Sequence, residues 1–245
     1  NPLKIIYKIQ EIFFDPQLFI VNFFFKMDSN PSKPFPPTLL KHYKKWKSTE
    51  FEENKALHAR LSEQGQKPEA MIISCCDSRV NPTSIFGTDI GQFFIHRNIA
   101  NLIPPYRTDT AHSGTPAALE YAIENLKVPH LIILGHSKCG GIKGGYELHT
   151  KNSFGTGERN NFVQQWLKIL LPAIKNLDKN LSSEKAISQL EKVSIISSID
   201  NILTYPFVEK AVKNGKLSIY GLWHNISSGD LERYNSETKA FELLE

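Results

Sequence analysis

Two short segments concentrate the residues able to do chemistry. Cys75-Cys76-Asp77-Ser78-Arg79 carries two thiols, a carboxylate and a guanidinium; His136-Ser137-Lys138-Cys139-Gly140-Gly141 carries an imidazole three residues before a third thiol. Two thiolates and one imidazole are a borderline-soft donor set suited to Zn2+. The His-x-x-Cys spacing lets one turn of loop or helix present both donors to one ion. A Cys2His set leaves the fourth tetrahedral position open, the mark of a catalytic zinc. A structural zinc closed by Asp77 as fourth ligand fits the same residues. Taken singly, a cysteine after a strand is most often a small packed hydrophobe, so the weight falls on the two loops together. Cys76 is expected to be such a packed neighbour.

The elements that must position these loops follow from the apolar pattern. Residues 70–74, AMIIS, form a short apolar run typical of a buried parallel strand, and 130–135, HLIILG, is the strongest strand signal in the chain. Both chemical segments therefore leave carboxyl ends of predicted parallel strands, where open α/β sheets place their ligand crevice. Cys75, His136 and Cys139 converge if the two strands are neighbours. Upstream, Leu39, Leu40, Tyr43, Trp46, Phe51, Leu57 and Leu61 recur at helical spacing, and Gly65 and Pro68 end that helix. Further strands are expected at Phe93–Ile95 and over KLSIYGLW, with NISSGDLERY as hairpin partner. Further helices are expected from Thr115 (a capping hydroxyl before Pro116), around 160–176 and 184–203, and over FVEKAVKNG. Strands separated by helices predict an α/β fold: a mostly parallel central β-sheet flanked by helices, with an N-terminal helical arm.

Composition narrows the class. The 245 residues carry 29 Lys and Arg against 25 Asp and Glu, interspersed, for a net charge of +4. A nucleic-acid binder would more often show a basic stripe, so no nucleic-acid partner is expected. The lysines 41, 44, 45 and 47 belong to a solvated helix face. Three cysteines are too few for a disulfide scaffold and point to a reducing compartment, here the cytoplasm. Residues 1–26 are rich in Phe, Ile, Asn and Lys, but Asp15-Pro16 splits their apolar run below the length of a membrane span. They are expected to be a non-native upstream extension or a targeting segment, with translation starting at Met27. Residues 27–68 would then form the leader and helical arm, and 69–245 the α/β zinc domain.

The motifs carry a resemblance. C-x-D-x-R and H-x-x-C, about sixty residues apart, resemble the signature of the β-class carbonic anhydrases. Asp77 to Val80, Phe94 to Asn101, Ala117 to Tyr121 and Gly135 to Gly141 resemble that family in the same order, and the likeness runs from about residue 38 to 235. It implies one Zn2+ per subunit on Cys75, His136 and Cys139, with Asp77 and Arg79 as the family's dyad beside the fourth position. It further implies that Gln66 hydrogen-bonds bicarbonate, that Phe94, Ile99 and Tyr121 line the substrate pocket, and that a neighbouring subunit completes that pocket in a homodimer or larger assembly. Gln66, together with Ile72 where some bacterial members carry a Trp, marks the plant-like, open-site type. Proline at 116 departs from the small residue usual in the family.

The expected reaction is the reversible hydration of CO2 to bicarbonate and a proton by zinc-bound hydroxide. Two thiolates formally cancel the zinc charge, so water is acidified less than on a dicationic site and activity should climb toward alkaline pH. Two alternatives share the ligands: a related zinc hydrolase of carbon disulfide or carbonyl sulfide, and a zinc-stabilised module without catalysis. The module would not need Asp77, Arg79 and Gln66, all of which are present.

Overall fold

Apolar runs build the centre of a six-stranded sheet. The computed structural model describes residues 33–108, 113–151 and 161–245, so the expectations for residues 1–26 and for the start of the leader, 27–32, lie outside the described residues. Strands β1 (Ala70–Cys75), β2 (Phe93–Asn98), β3 (His130–His136) and β4 (Ser218–His224) run parallel; β5 (Leu231–Asn235) and β6 (Ala240–Leu243) continue antiparallel, in the order β2-β1-β3-β4-β5-β6. The chain leaves β1 for β2 on one side and crosses back to β3 on the other. The carboxyl ends of β1 and β3 therefore flank the switch point where such sheets bind ligands. All six residues of β1 are buried, and Met71, Ile72, Ile73, Leu131, Ile133 and Leu134 have no exposed surface. Each such aliphatic side chain contributes about 1.5–3 kcal/mol by burial.

The helices are α1 (Pro37–Ser48), α2 (Glu50–Glu53), α3 (Lys55–Gln64), α4 (Pro82–Phe86), α5 (Gly114–Glu120), α6 (Gly140–Lys151), α7 (Asn161–Leu167), α8 (Leu171–Lys175), α9 (Ser183–Ile202) and α10 (Pro206–Lys213). The chain divides into two units, residues 1–63 and 64–245. Within the first, the helical stretch predicted over 37–64 is interrupted at Thr49 and Asn54. Its aromatic residues pack on one another: Trp46 on Phe51 at 5.5 Å between ring centres, and Phe51 on His58 at 4.8 Å.

In the second unit, α9 lies so close to the sheet that a Cβ on Gly135 would stand 2.6 Å from Ile195 Cδ1, and one on Gly221 2.7 Å from Ile195 Cγ2. Glycine at both positions admits the helix. One turn before Ile195, Glu191 is thereby brought to the carboxyl end of β3.

Several expectations need correction. Thr115 does not cap α5, because its hydroxyl is taken by His96 Nε2 at 2.9 Å and Asn98 at 3.4 Å; Ser113 holds the cap position. The helix from 114 passes into one π turn, Tyr121–Asn125. The segment near 160–176 is α7 and α8 joined by a 3-10 turn, Lys168–Leu170, with Pro172 opening α8. Cys76 is exposed, since β1 ends at Cys75 and the next residue turns to the surface. Among the described residues no helix is long and apolar enough to cross a membrane.

Candidate metal centre

Cys75 ends β1, His136 ends β3, and Cys139 follows in the turn into α6. Because β1 and β3 are hydrogen-bonded neighbours, their ends meet. One donor atom from each of the three side chains lies within 4.8 Å of the others, and all three residues are buried. The two sulfurs are 3.9 Å apart. Tetrahedral zinc with Zn–S bonds of about 2.3 Å would separate them by about 3.8 Å. His136 Nδ1 donates to the Ser137 carbonyl at 2.9 Å, which leaves a lone pair on Nε2; that atom is buried and has no partner among the described residues. An orphaned imidazole nitrogen facing two thiols is costly unless a cation takes its lone pair. The donor set fits zinc.

Charge is arranged for thiolates. The Ala100 N–H donates to Cys75 Sγ at 3.3 Å, and the Gly141 and Ile142 N–H groups at the start of α6 favour charge on Cys139. A hydrogen bond from Cys139 lowers Cys75 to about 4, while burial acts the other way. Cys139 is pushed up because the remaining proton is shared with the Cys75 thiolate and the site is buried. A bound cation takes the place of that proton. Burial lowers His136, but the nearby Cys75 sulfur and the Ser137 carbonyl outweigh it and the net shift is upward.

Beside the cluster, Arg79 grips Asp77 in a bidentate pair, Nε to Oδ1 at 2.9 Å and Nη2 to Oδ2 at 2.7 Å, and the Arg79 N–H adds a bond to Oδ1 at 3.0 Å. These bonds, the Arg79 side chain foremost, hold the Asp77 carboxyl well below the usual carboxylate range. Asp77 Oδ2 lies 4.0 Å from His136 Nε2. Arg79 Nη2 also donates to the Lys138 carbonyl at 3.0 Å and so ties the two loops together.

The residues singled out as pocket lining are distributed differently. Ile99 is 40% exposed and precedes Ala100, whose N–H meets Cys75. Phe94 packs on the core and on the Tyr121 ring, 5.8 Å away, and Tyr121 is 47% exposed. Gln66 is exposed in the segment before β1 and makes no side-chain hydrogen bond within the described residues. The structure brings together the three metal donors and the dyad, with Ile99 at their margin; Phe94 and Tyr121 form a separate pair.

Two residues at the site were not foreseen. Arg97 of β2 donates to three carbonyls of the first loop: Cys75 at 2.9 Å, Asp77 at 2.7 Å and Val80 at 2.7 Å. It stands within a stretch that resembles the family, but nothing in its spacing reveals a role. Glu191, only 4% exposed, accepts the Cys139 N–H at 3.3 Å. Burial pushes its carboxyl up, opposed by the N–H groups of Cys139 and Lys138.

The comparisons with known proteins agree with this geometry. A family model described as carbonic anhydrase matches residues 70–231. Beta carbonic anhydrase 3 of Arabidopsis thaliana is 37% identical over 204 residues, 81% of this chain and 77% of the relative. Among solved structures, the β-carbonic anhydrase CcaA superposes with a TM-score of 0.77 at 30% identity, covering 85% of this chain and 91% of its own. One of two tetrameric β-carbonic anhydrases from Sordaria macrospora gives 0.66 at 26% identity, covering 80% and 94%. A parallel sheet with Cys, His and Cys donors at its switch point, and a likeness of this extent, place the protein in a family of enzymes. The chain belongs to the β-class carbonic anhydrases.

Proposed function

We propose that the protein hydrates CO2 reversibly with one Zn2+ per subunit, held by Cys75, His136 and Cys139, and that Asp77 stays outside the ligand set. The observation that carries this reading is the Asp77–Arg79 pair: three N–H donors occupy the carboxylate, and Oδ2 remains 4.0 Å from the His136 lone-pair atom. A carboxylate so engaged is poorly placed to close the coordination sphere as a structural fourth ligand. A zinc ion bound there supplies Lewis acidity that makes water nucleophilic near neutral pH. Asp77 Oδ2 accepts a hydrogen bond from the attacking water and turns its free lone pair toward CO2. Arg79 keeps Asp77 ionised and fixes its direction. The new C–O bond gives bicarbonate, and the proton lost from water passes to solvent.

In this reading Ile99, Phe94 and Tyr121 supply apolar walls for CO2, and Gln66 binds bicarbonate. The exposure of Gln66 and Tyr121 fits a pocket completed by a second subunit in a cytoplasmic homo-oligomer, and the similar enzymes from Sordaria macrospora are tetrameric. Residues 69–245 act as the zinc catalytic domain and 27–68 as leader and arm. Stopped-flow CO2 hydration on zinc-loaded protein tests the reading, with Cys75→Ser as control. Wild type should hydrate CO2 and the variant should not; full zinc content without hydration overturns it.

A further inference from the structure

The turn between His136 and Cys139 has an unusual backbone. Lys138 lies in the left-handed region at φ 57, which strains the backbone of a residue carrying a side chain. In this conformation the turn faces two ways. Its Lys138 carbonyl accepts Arg79 Nη2 at 3.0 Å on the side of Asp77. The Cys139 N–H donates to Glu191 Oε1 at 3.3 Å, and the Lys138 N–H also bears on that carboxylate. Glu191 approaches from α9, an element that supplies no donor to the cluster, and it is only 4% exposed. Behind it lies a cavity of about 760 Å3 lined in part by Ser188, Trp223, Lys143 and Glu191 itself. Nothing else among the described residues holds the N–H of Cys139.

We propose that Glu191 is a positioning residue for the metal centre: its carboxyl oxygen fixes the strained Lys138–Cys139 turn, and through it both the Cys139 sulfur and the Arg79 that aims Asp77. The role needs an acceptor oxygen on α9 and does not need a charge. It rests on the proposed zinc reading but makes a separate claim about backbone geometry. Removing the acceptor leaves the Cys139 N–H without its partner beside a cavity that water can enter, so the turn is free to relax from its left-handed conformation.

The test compares Glu191→Gln, which keeps an acceptor oxygen, with Glu191→Met, which has similar length and no such acceptor. Zinc affinity is measured by chelator competition, and the Co2+-substituted protein is read by absorption, whose thiolate and d–d bands report ligand geometry. Far-ultraviolet circular dichroism verifies folding. Glu191→Met should weaken metal binding about 10- to 100-fold and shift the cobalt bands. Glu191→Gln should restore affinity to within about threefold and return the bands to their wild-type positions. A folded Glu191→Met protein with wild-type affinity and spectrum overturns the proposal, as does a Glu191→Gln protein no better than Glu191→Met. If Glu191→Met does not fold, Glu191→Gln alone decides: wild-type bands support the proposal and shifted bands overturn it. Wild-type protein that binds metal without hydrating CO2 would sink the functional reading and leave the Glu191 result readable.

Discussion

The loop after β1 is fixed through its carbonyls, and the loop after β3 through its N–H groups. A cation, Arg97, gathers the carbonyls of Cys75, Asp77 and Val80 from a neighbouring strand. A carboxyl, Glu191, receives the Cys139 N–H from a helix on the sheet. The first loop is partly open to solvent and carries the dyad; the second segment, which carries two of the three donors, buries His136, Ser137 and Cys139 and leaves Lys138 and Gly140 exposed. The difference teaches that a centre with two buried sulfurs can be braced by a donor on one side and an acceptor on the other, provided each meets backbone rather than the metal donors. Where the loops touch, Arg79 bridges the Asp77 carboxylate and the Lys138 carbonyl.

The strongest break treats the loops alike. Cys75→Ser and Cys139→Ser should each lose zinc in a chelator challenge and lower kcat/KM by more than about 100-fold, beyond what outer partners of a metal site usually contribute. Retention of stoichiometric zinc by either variant would separate the loops and contradict a shared centre.

Next comes the dyad. Asp77→Asn should keep its zinc and lose about 100-fold in kcat, the scale of a positioned proton-accepting group. Because Arg79 lowers the folded Asp77 pKa below its ordinary value of about 3.9, the pair's contribution is complete above about pH 4 and is lost as pH falls toward that lower value. Asp77 is therefore ionised throughout pH 6–9, and the expected alkaline climb in wild-type activity over that range must survive in Asp77→Asn. Disappearance of the climb in the variant would assign it to Asp77 instead.

A smaller effect sharpens the contrast between the two supports. Arg97→Lys keeps the charge but cannot reach three carbonyls in one plane. It should lower kcat about tenfold and the melting temperature by about 2–6 °C, the equivalent of one or two net hydrogen bonds in a chain of this size. Unlike loss of the Glu191 acceptor, it should leave the Cys139 side of the centre unchanged, so cobalt bands that shift equally in both variants would contradict separate supports.

The smallest concerns the second loop's fit. A Cβ on Gly141 would lie 2.9 Å from Ala100 Cβ and from Ile99 Cγ2. Gly141→Ala should cost about 1–3 kcal/mol in a denaturant titration, as overpacking does. An unchanged midpoint would mean that α6 shifts freely against the 3-10 turn at Ile99–Asn101.

Much of this arrangement was legible in the sequence. Short apolar runs ended at Cys75 and near His136, and their parallel pairing brought the donors together. Helix α6 was missed because Gly140, Gly141, Gly144 and Gly145 give it poor intrinsic helix propensity; close packing, which local sequence does not report, accounts for at least Gly141. Strand β6 was missed because Ala240–Leu243 is a short, mostly exposed edge next to charged residues. Arg97 and Glu191 were hidden for a related reason. A glutamate in a helix looks like a solvated side chain until tertiary packing buries it, and an exposed arginine on a strand gives no sign in the sequence of the carbonyls it will meet. Gln66 and Tyr121 lie exposed on the single chain, so their proposed roles depend on the second subunit proposed above.

The central claim is that one metal on Cys75, His136 and Cys139 makes the enzyme. Metal-free protein should be titrated with Zn2+ while CO2 hydration is followed by stopped flow. Activity is predicted to rise in proportion to added metal and to plateau at one equivalent per chain. Hydration by metal-free protein, or tight binding of one equivalent with no gain in hydration, would contradict the account.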